Sequence, residues 1–336
     1  MTPAKPRSVN FSKYSGAGND FLIVDERHQS AFGEASMIAK ALCRRGVSVG
    51  ADGLITLSIS DVEGDAVARM RLWNADGSGA AFSGNAARCA VRYLVDEGLA
   101  TDAVALQTDI GIVRGRVDGT SALVTVPGLA RVWPARRLRV EGRDLIGTYA
   151  QVGVPFFVVL HDDPDELPIR FLGRAIRAHA ALQPEGANVD FARVDDDQNI
   201  YFRVYERGVE NETLSSGTGS IAAALAAAAA DRVTSPVACH ARGGTLTVRF
   251  RRPAPAELAA RADAAVDEEL LPPEPETSTR DSSETSTEEG AGEAVDAPAG
   301  SVMTEGEPVL FDGIEIEGET RRVLTGTAFA DALRLS

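Results

Sequence analysis

The chain has 336 residues, 44% of them hydrophobic, which is enough for two ordinary domains that each bury a core. Its net charge of −15 is mostly one segment's property: from Asp263 to Glu307 fourteen acidic residues stand against one base, Arg280, giving −13 and leaving −2 for everything else. The acidic segment is therefore excluded as a nucleic-acid binder. Residues 1–10 lack an apolar signal core, and no later stretch approaches the roughly 18 apolar residues of a membrane span, so a cytoplasmic protein that spans no membrane is expected. Three scattered cysteines, Cys43, Cys89 and Cys239, match neither a disulfide framework nor a zinc cluster, and with four histidines no metal site is expected.

In chain order, Arg69 to Trp73 alternates as a half-buried strand and leads into the turn residues Asn74-Ala75-Asp76-Gly77-Ser78. Ser83-Gly84-Asn85 then opens a helix over Asn85 to Glu97, which places Cys89, Ala90, Tyr93 and Leu94 on one face, sets Arg88, Arg92 and Asp96 on another, and stops at Gly98. A second alternating strand, Tyr201 to Tyr205, leads into Glu206-Arg207-Gly208 and Ser216-Gly217-Thr218. A nearly all-alanine helix follows over Ser220 to Ala230. The same strand, Ser-Gly turn and helix thus occurs twice, 133 residues apart, which predicts two similar lobes facing a cleft. After a strand from Thr245 to Arg252, the stretch Pro253 to Pro308 is too polar to offset its ordering entropy and reads as a disordered insertion; a final strand pair is expected over Gly313 to Thr325. The resulting division is 9–130, 131–252 with 309–336, and an insertion at 253–308.

A small polar residue followed by glycine at a helix start exposes backbone N–H groups at the positive end of the helix dipole, a ready carboxylate site. Two such ends converging on an α-carboxylate would stabilise the charge that develops when the α-proton leaves, and Ser83 and Ser216 would flank the α-carbon from opposite faces. Either serine alone reads equally as a plain helix cap. Asp20, Asp52 and Asp76 read as turn formers, and Cys89 as core.

Phe11 to Phe21 (FSKYSGAGNDF) resembles the opening signature of the diaminopimelate epimerase family, and Gly50-Ala51-Asp52-Gly53, Asn74 to Ser78, Ser83 to Cys89, Glu206 to Gly208 and Glu212 to Gly219 follow in that family's order. Gly243 to Leu246 and Leu324 to Ala328 resemble its closing elements. The resemblance implies two α/β (α+β) lobes, each a mostly antiparallel sheet wrapped around a central helix. It also implies a cofactor-independent enzyme that interconverts LL- and meso-2,6-diaminopimelate, in lysine and cell-wall precursor biosynthesis, by two-base proton transfer. Its partner would be a small amino-acid substrate, with a homodimer as the family's assembly. Residue by residue, Asn19, Asn74, Asn188, Glu206 and Arg207 match substrate-contacting positions, as do the turns Gly84-Asn85 and Gly217-Thr218; Arg207 is suited to a distal carboxylate.

Two departures touch the chemistry. Ser83 and Ser216 stand where the resemblance implies catalytic cysteines, and Gly153-Val154-Pro155-Phe156 replaces a turn with a polar residue and a histidine. A thiol of pKa about 8.5 is tunable towards neutrality, whereas a serine hydroxyl needs an adjacent base, for which Glu206 is the candidate. Besides family-type epimerisation, two readings stay open: another cofactor-independent isomerase, or a catalytically silent relative binding an amino acid or a protein.

Overall fold

Short alternating strands dominate the chain, and two buried helices organise them. The computed structural model describes residues 8–28, 35–59, 62–258 and 303–329. A hairpin of β1 (Ser8–Gly16) and β2 (Asn19–Asp25) is followed by α1 (Ala35–Leu42), β3 (Gly53–Ser58), β4 (Ala68–Asn74), the short β5 (Gly79–Ala80) and α2 (Gly84–Asp96). Then come β6 (Ala103–Thr108), β7 (Gly111–Asp118), β8 (Ser121–Val126), β9 (Ala130–Val140), β10 (Arg143–Val152), β11 (Val154–Leu160) and α3 (Ile169–Arg177). The remainder is β12 (Asn188–Val194), β13 (Ile200–Glu206), β14 (Asn211–Thr213), α4 (Gly217–Ala229), β15 (Val237–Ala241), β16 (Gly244–Arg251) and β17 (Val309–Phe329).

The repeat read from the two Ser-Gly turns is a repeat of topology. In the first unit β2 runs parallel to β3, β3 pairs antiparallel with β4, β4 with β5, and after α2 the strand β6 returns parallel to β4. In the second, β11 is parallel to β12, β12 antiparallel to β13, β13 to β14, and after α4 the strand β15 returns parallel to β13. Register makes the units comparable residue by residue. Each opens on a phenylalanine pair, Phe21 with Gly53 and Phe156 with Asn188, so Gly53 corresponds to Asn188 and Ile55 to Asp190. Gly53 pairs with Asn74, and the step beyond Val189–Tyr205 sets Asn188 beside Glu206, so Asn74 corresponds to Glu206.

Each unit's second helix is enclosed. α2 is packed by β1 to β4, β6 to β8 and β17, and α4 by β9 to β13 and β15 to β17. This explains the alanines: Ala222 to Ala228 are buried on every side, and alanine alone combines high helix propensity with a side chain short enough for strands to approach all round. It also overturns one expectation. Arg88, placed on a polar face of α2 by periodicity, is 0% exposed, because this helix has no solvent face at that turn. Gly98 ends α2 with φ +67, as its type demands, and Cys89 packs in the core as expected. α1 and α3 instead cover the outer faces, α1 over Leu22, Val24 and Leu54, and α3 over Phe157, Val189, Phe191 and Tyr205.

Two boundaries differ from expectation. The final strand pair is one 21-residue strand, β17, which pairs in turn with β9, β16 and β8, and then β1. Gly318 mimics a turn signal but is there for packing, since a Cβ would lie 2.3 Å from Leu246 Cδ2. The insertion expected at 253–308 lies mostly outside the described residues. At its C-terminal flank, however, Met303 is 2% exposed in the core beneath α3, and Trp133 Nε1 donates to the Gly306 carbonyl at 3.1 Å, so the packed chain resumes before Val309.

Candidate active site

The two Ser-Gly turns adopt one backbone. Ser83, at φ −146 and ψ 125, caps α2 by accepting the Ala86 N–H at 3.3 Å, and Ser216, at φ −133 and ψ 124, caps α4 by accepting the Gly219 N–H at 3.1 Å. Both are extended residues whose next neighbour starts the helix, so the plain capping role is real and coexists with any chemical one. The helix starts also abut. A Cβ on Gly217 would lie 3.0 Å from Asn85 N and 3.2 Å from Gly84 Cα, so glycine is what lets the two positive helix ends share one place.

Behind the first turn sits a polar chain. Asn85, fully buried, donates through Nδ2 to Asn19 Oδ1 at 3.2 Å and accepts at Oδ1 from Arg88 Nη2 at 2.7 Å; Arg88 Nη1 donates to the Gly84 carbonyl at 3.3 Å. No carboxylate pairs with Arg88 among the described residues, and burial pushes its guanidinium down to about 10. Asn19 is held in turn by Asp52, whose Oδ2 accepts its Nδ2–H at 2.7 Å. Arg45 bridges Asp52 and Asp20, and Lys13 pairs with Asp20 at 2.9 Å. Burial pushes Asp20 up, but Arg45 and Lys13 more than offset it and hold the carboxyl below its ordinary range. Asp20 and Asp52 are thus more than turn formers; Asp76, accepting the N–H and hydroxyl of Ser78, is one. Asn74 donates to Ser78 Oγ at 2.9 Å, and its Nδ2 lies 4.0 Å from where a Cβ of Gly208 would stand, which brings the first unit's turn against the Glu206-Arg207-Gly208 turn.

Behind the second turn the groups are acidic. Asn188, 8% exposed, accepts the Arg207 N–H at 2.8 Å, and Arg207 Nη1 donates to the Glu185 carbonyl at 2.8 Å. Burial pushes Glu206 up to about 7, with the neighbouring hydroxyls of Ser216 and Thr213 pulling it down and Asp52 adding to the rise. Ser216 and Thr218 are 4% and 8% exposed, so the turn is largely withdrawn from water. Phe156 is fully buried in the core, opposite Asn188 in register. The expected site residues therefore fall into linked groups: Asn19 with Asn85, Gly84 and Gly217; Asn74 beside the Arg207-Gly208 turn, and Arg207 with Asn188; Glu206 with Ser216. The Ser83 hydroxyl makes no hydrogen bond beyond its cap among the described residues.

The sequence profile of Diaminopimelate epimerase matches residues 11–126 and 148–261. The chain belongs to the diaminopimelate epimerase family. The family's diaminopimelate epimerase from Archaeoglobus fulgidus is 38% identical over 257 residues, covering 72% of this chain and 89% of that protein; the one from Aquifex aeolicus is 37% identical over 226 residues, covering 65% and 80%. Among solved structures, a probable proline racemase from Agrobacterium radiobacter K84, with bound carbonate, superposes with a TM-score of 0.65 at 12% identity, covering 97% of this chain and 94% of that one. A hydroxyproline epimerase from Agrobacterium vitis, with bound trans-4-OH-L-proline, gives 0.62 at 14% identity, covering 97% and 93%. At such identities these share the fold with the diaminopimelate epimerase family member described here. Among the described residues no cluster of three or more His, Cys, Asp or Glu side chains could hold a metal ion, and no helix is long and apolar enough to cross a membrane.

Sequence reasoning missed three features of the site: the burial of Arg88, the Lys13–Asp20–Arg45–Asp52 cluster that holds Asn19, and Asp190. For Asp190 a signal existed, because it lies two residues beyond Asn188 and so shares its strand face.

Proposed function

We propose that this protein interconverts LL- and meso-2,6-diaminopimelate by moving the α-proton between two faces of the substrate, without a cofactor. The observation that carries the reading is the abutment of two serine-capped helix starts at Gly84 and Gly217. The α-carboxylate sits on the amides of Gly84-Asn85 and Gly217-Thr218, where positive helix ends stabilise the carbanion-like charge. On one face Ser216 takes the α-proton as it passes its hydroxyl proton to Glu206; on the other Ser83 delivers its hydroxyl proton to the α-carbon and is reprotonated from solvent. A Glu206 titrating near 7 is matched to exchanging that proton at neutral pH. Asn19, Asn74 and Asn188 fix the substrate's polar groups, and Arg207 takes the distal carboxylate. The reading places the enzyme in the cytoplasm, and as a homodimer, which sedimentation of the purified chain tests directly. The function itself is tested by separating the stereoisomers after incubating either one with the protein. Approach to the same LL/meso mixture from both sides supports it; unchanged stereoisomers at high enzyme concentration overturn it.

A further inference from the structure

Asp190 is 0% exposed, and neither of its carboxyl oxygens has a hydrogen-bond partner among the described residues. A carboxylate left that way in an apolar setting is strongly disfavoured, so its place in the fold needs an account. Packing does not supply one. The corresponding residue of the first unit is Ile55, also 0% exposed, so the same strand position is filled there by an aliphatic side chain.

Its surroundings point to the Ser216 face. Asp190 pairs in register with Val204, two residues before Glu206 on β13, which makes Asp190 and Glu206 diagonal neighbours on one sheet face, about 7–8 Å apart at Cα and within reach of each other's side chains. A Cβ on Gly219 would stand 3.2 Å from Asp190 Oδ1 and 2.9 Å from Ser216 Cβ, so the carboxyl and the serine border the same glycine of α4. From β11 it meets Val158 in register, and at the start of α4 it borders Gly219, next to the capping Ser216; none of the three is ionisable. Among the described residues the titratable groups that act on it are Glu206 from β13 and Cys239 from β15, neither of them a cation. Burial first, and then the Glu206 charge, raise Asp190 well above the ordinary carboxylate range.

We propose that Asp190 is a positioning residue for the Ser216 face, a carboxyl kept in its neutral form against Glu206 so that Glu206 alone carries that face's negative charge. This rests on the reading of Ser216 and Glu206 as one acid/base face. Two carboxyls this close in a dry site titrate as a pair, losing one proton near neutrality and holding the second to higher pH. With one charge, Glu206 accepts the Ser216 proton while the α-carboxylate stays on the start of α4. Loss of the second proton sets a further negative charge beside that carboxylate, so substrate binding weakens at alkaline pH.

The test joins infrared titration of the whole protein with a KM–pH profile. In the wild type a protonated, non-hydrogen-bonded carboxyl band persists above the pH at which the Glu206 band, assigned by Glu206→Gln, is lost; Asp190→Asn removes the persistent band. Wild-type KM for diaminopimelate rises at alkaline pH by about tenfold, the effect of one pKa unit of like-charge repulsion. Asp190→Asn flattens that rise and leaves kcat near neutrality within about threefold. Asp190→Ile copies the first unit's residue and is expected to fold and flatten the rise equally. An Asp190 carboxylate band at pH 7, or an alkaline KM rise that survives both substitutions, overturns the proposal. If the wild type is inert on diaminopimelate, the epimerase reading fails, while the infrared bands still decide whether Asp190 keeps its proton.

Discussion

The Ser83 and Ser216 turns have the same backbone and opposite electrostatics. Behind Ser83 lies a buried cation, Arg88, where the second unit has Ile221; behind Ser216 lies a buried carboxyl, Asp190, where the first unit has Ile55. Glu206 faces Ser216 where the first unit offers the neutral Asn74. The repeated topology therefore presents two equivalent helix ends, and ionisable groups make their surroundings different. On the proposed mechanism Ser216 hands its proton to a side chain that burial raises to about 7, whereas Ser83 has no ionisable neighbour of that kind among the described residues and is backed by the hydrogen-bonded chain Arg88–Asn85–Asn19.

The largest way to break this comparison is to make the Ser216 face as neutral as the other. Glu206→Gln is expected to lower α-proton exchange by about 10²- to 10⁴-fold, the usual contribution of a positioned acid/base, with little change in KM. Steady-state kinetics separates the two constants. Equal losses in exchange from Glu206→Gln and Asn74→Ala would erase the distinction between the faces.

Giving both faces a group that titrates near neutrality sharpens it. Ser83→Cys with Ser216→Cys is expected to raise epimerisation on the order of 10²-fold, because a thiol of pKa about 8.5 needs less help than a hydroxyl. Each single change gives much less, since one improved face leaves the other proton transfer limiting; rates of the two singles and the double show the non-additivity.

These effects show what the sequence made legible and what it hid. The serine-glycine pairs, Asn85 and Thr218, and the strands at Arg69 to Trp73 and Tyr201 to Tyr205 were readable because caps and period-two alternation are local signals. Arg88 was misplaced because helical periodicity assigns a polar side chain to water, and only the strands wrapped around α2 remove that water. Asp190 was passed over because alternation in Asn188-Val189-Asp190-Phe191 marks a face without saying what covers it, and α4, 27 residues further along, does. The last element was expected as a strand pair beginning at Gly313, whereas β17 runs unbroken from Val309 to Phe329 through Gly313 and Gly318.

Two smaller effects test the cationic side and the pH response. Arg88→Met leaves Asn85 Oδ1 without its donor and is expected to lower stability by about 1–3 kcal/mol, read from chemical denaturation, and to raise KM as Asn19 loses its support. With Glu206 as the proton acceptor for Ser216, exchange is expected to rise with pH up to about 7 and to level off above. The sign for stability is opposite: the folded state holds the Glu206 proton more tightly than the unfolded chain, so this contribution is full below about 4.5 and is lost as pH rises through about 7. Glu206→Gln removes both responses, which parallel pH titrations of rate and melting temperature detect.

The most direct measurement is α-hydrogen exchange in D₂O, with LL- and meso-diaminopimelate presented separately to the wild type and to Glu206→Gln. The account predicts deuterium at the α-carbon of the epimerised product from either isomer, well above a protein-free blank, and its loss in the variant. No incorporation by the wild type, or full incorporation by Glu206→Gln, would contradict a proton path through Ser216 and Glu206.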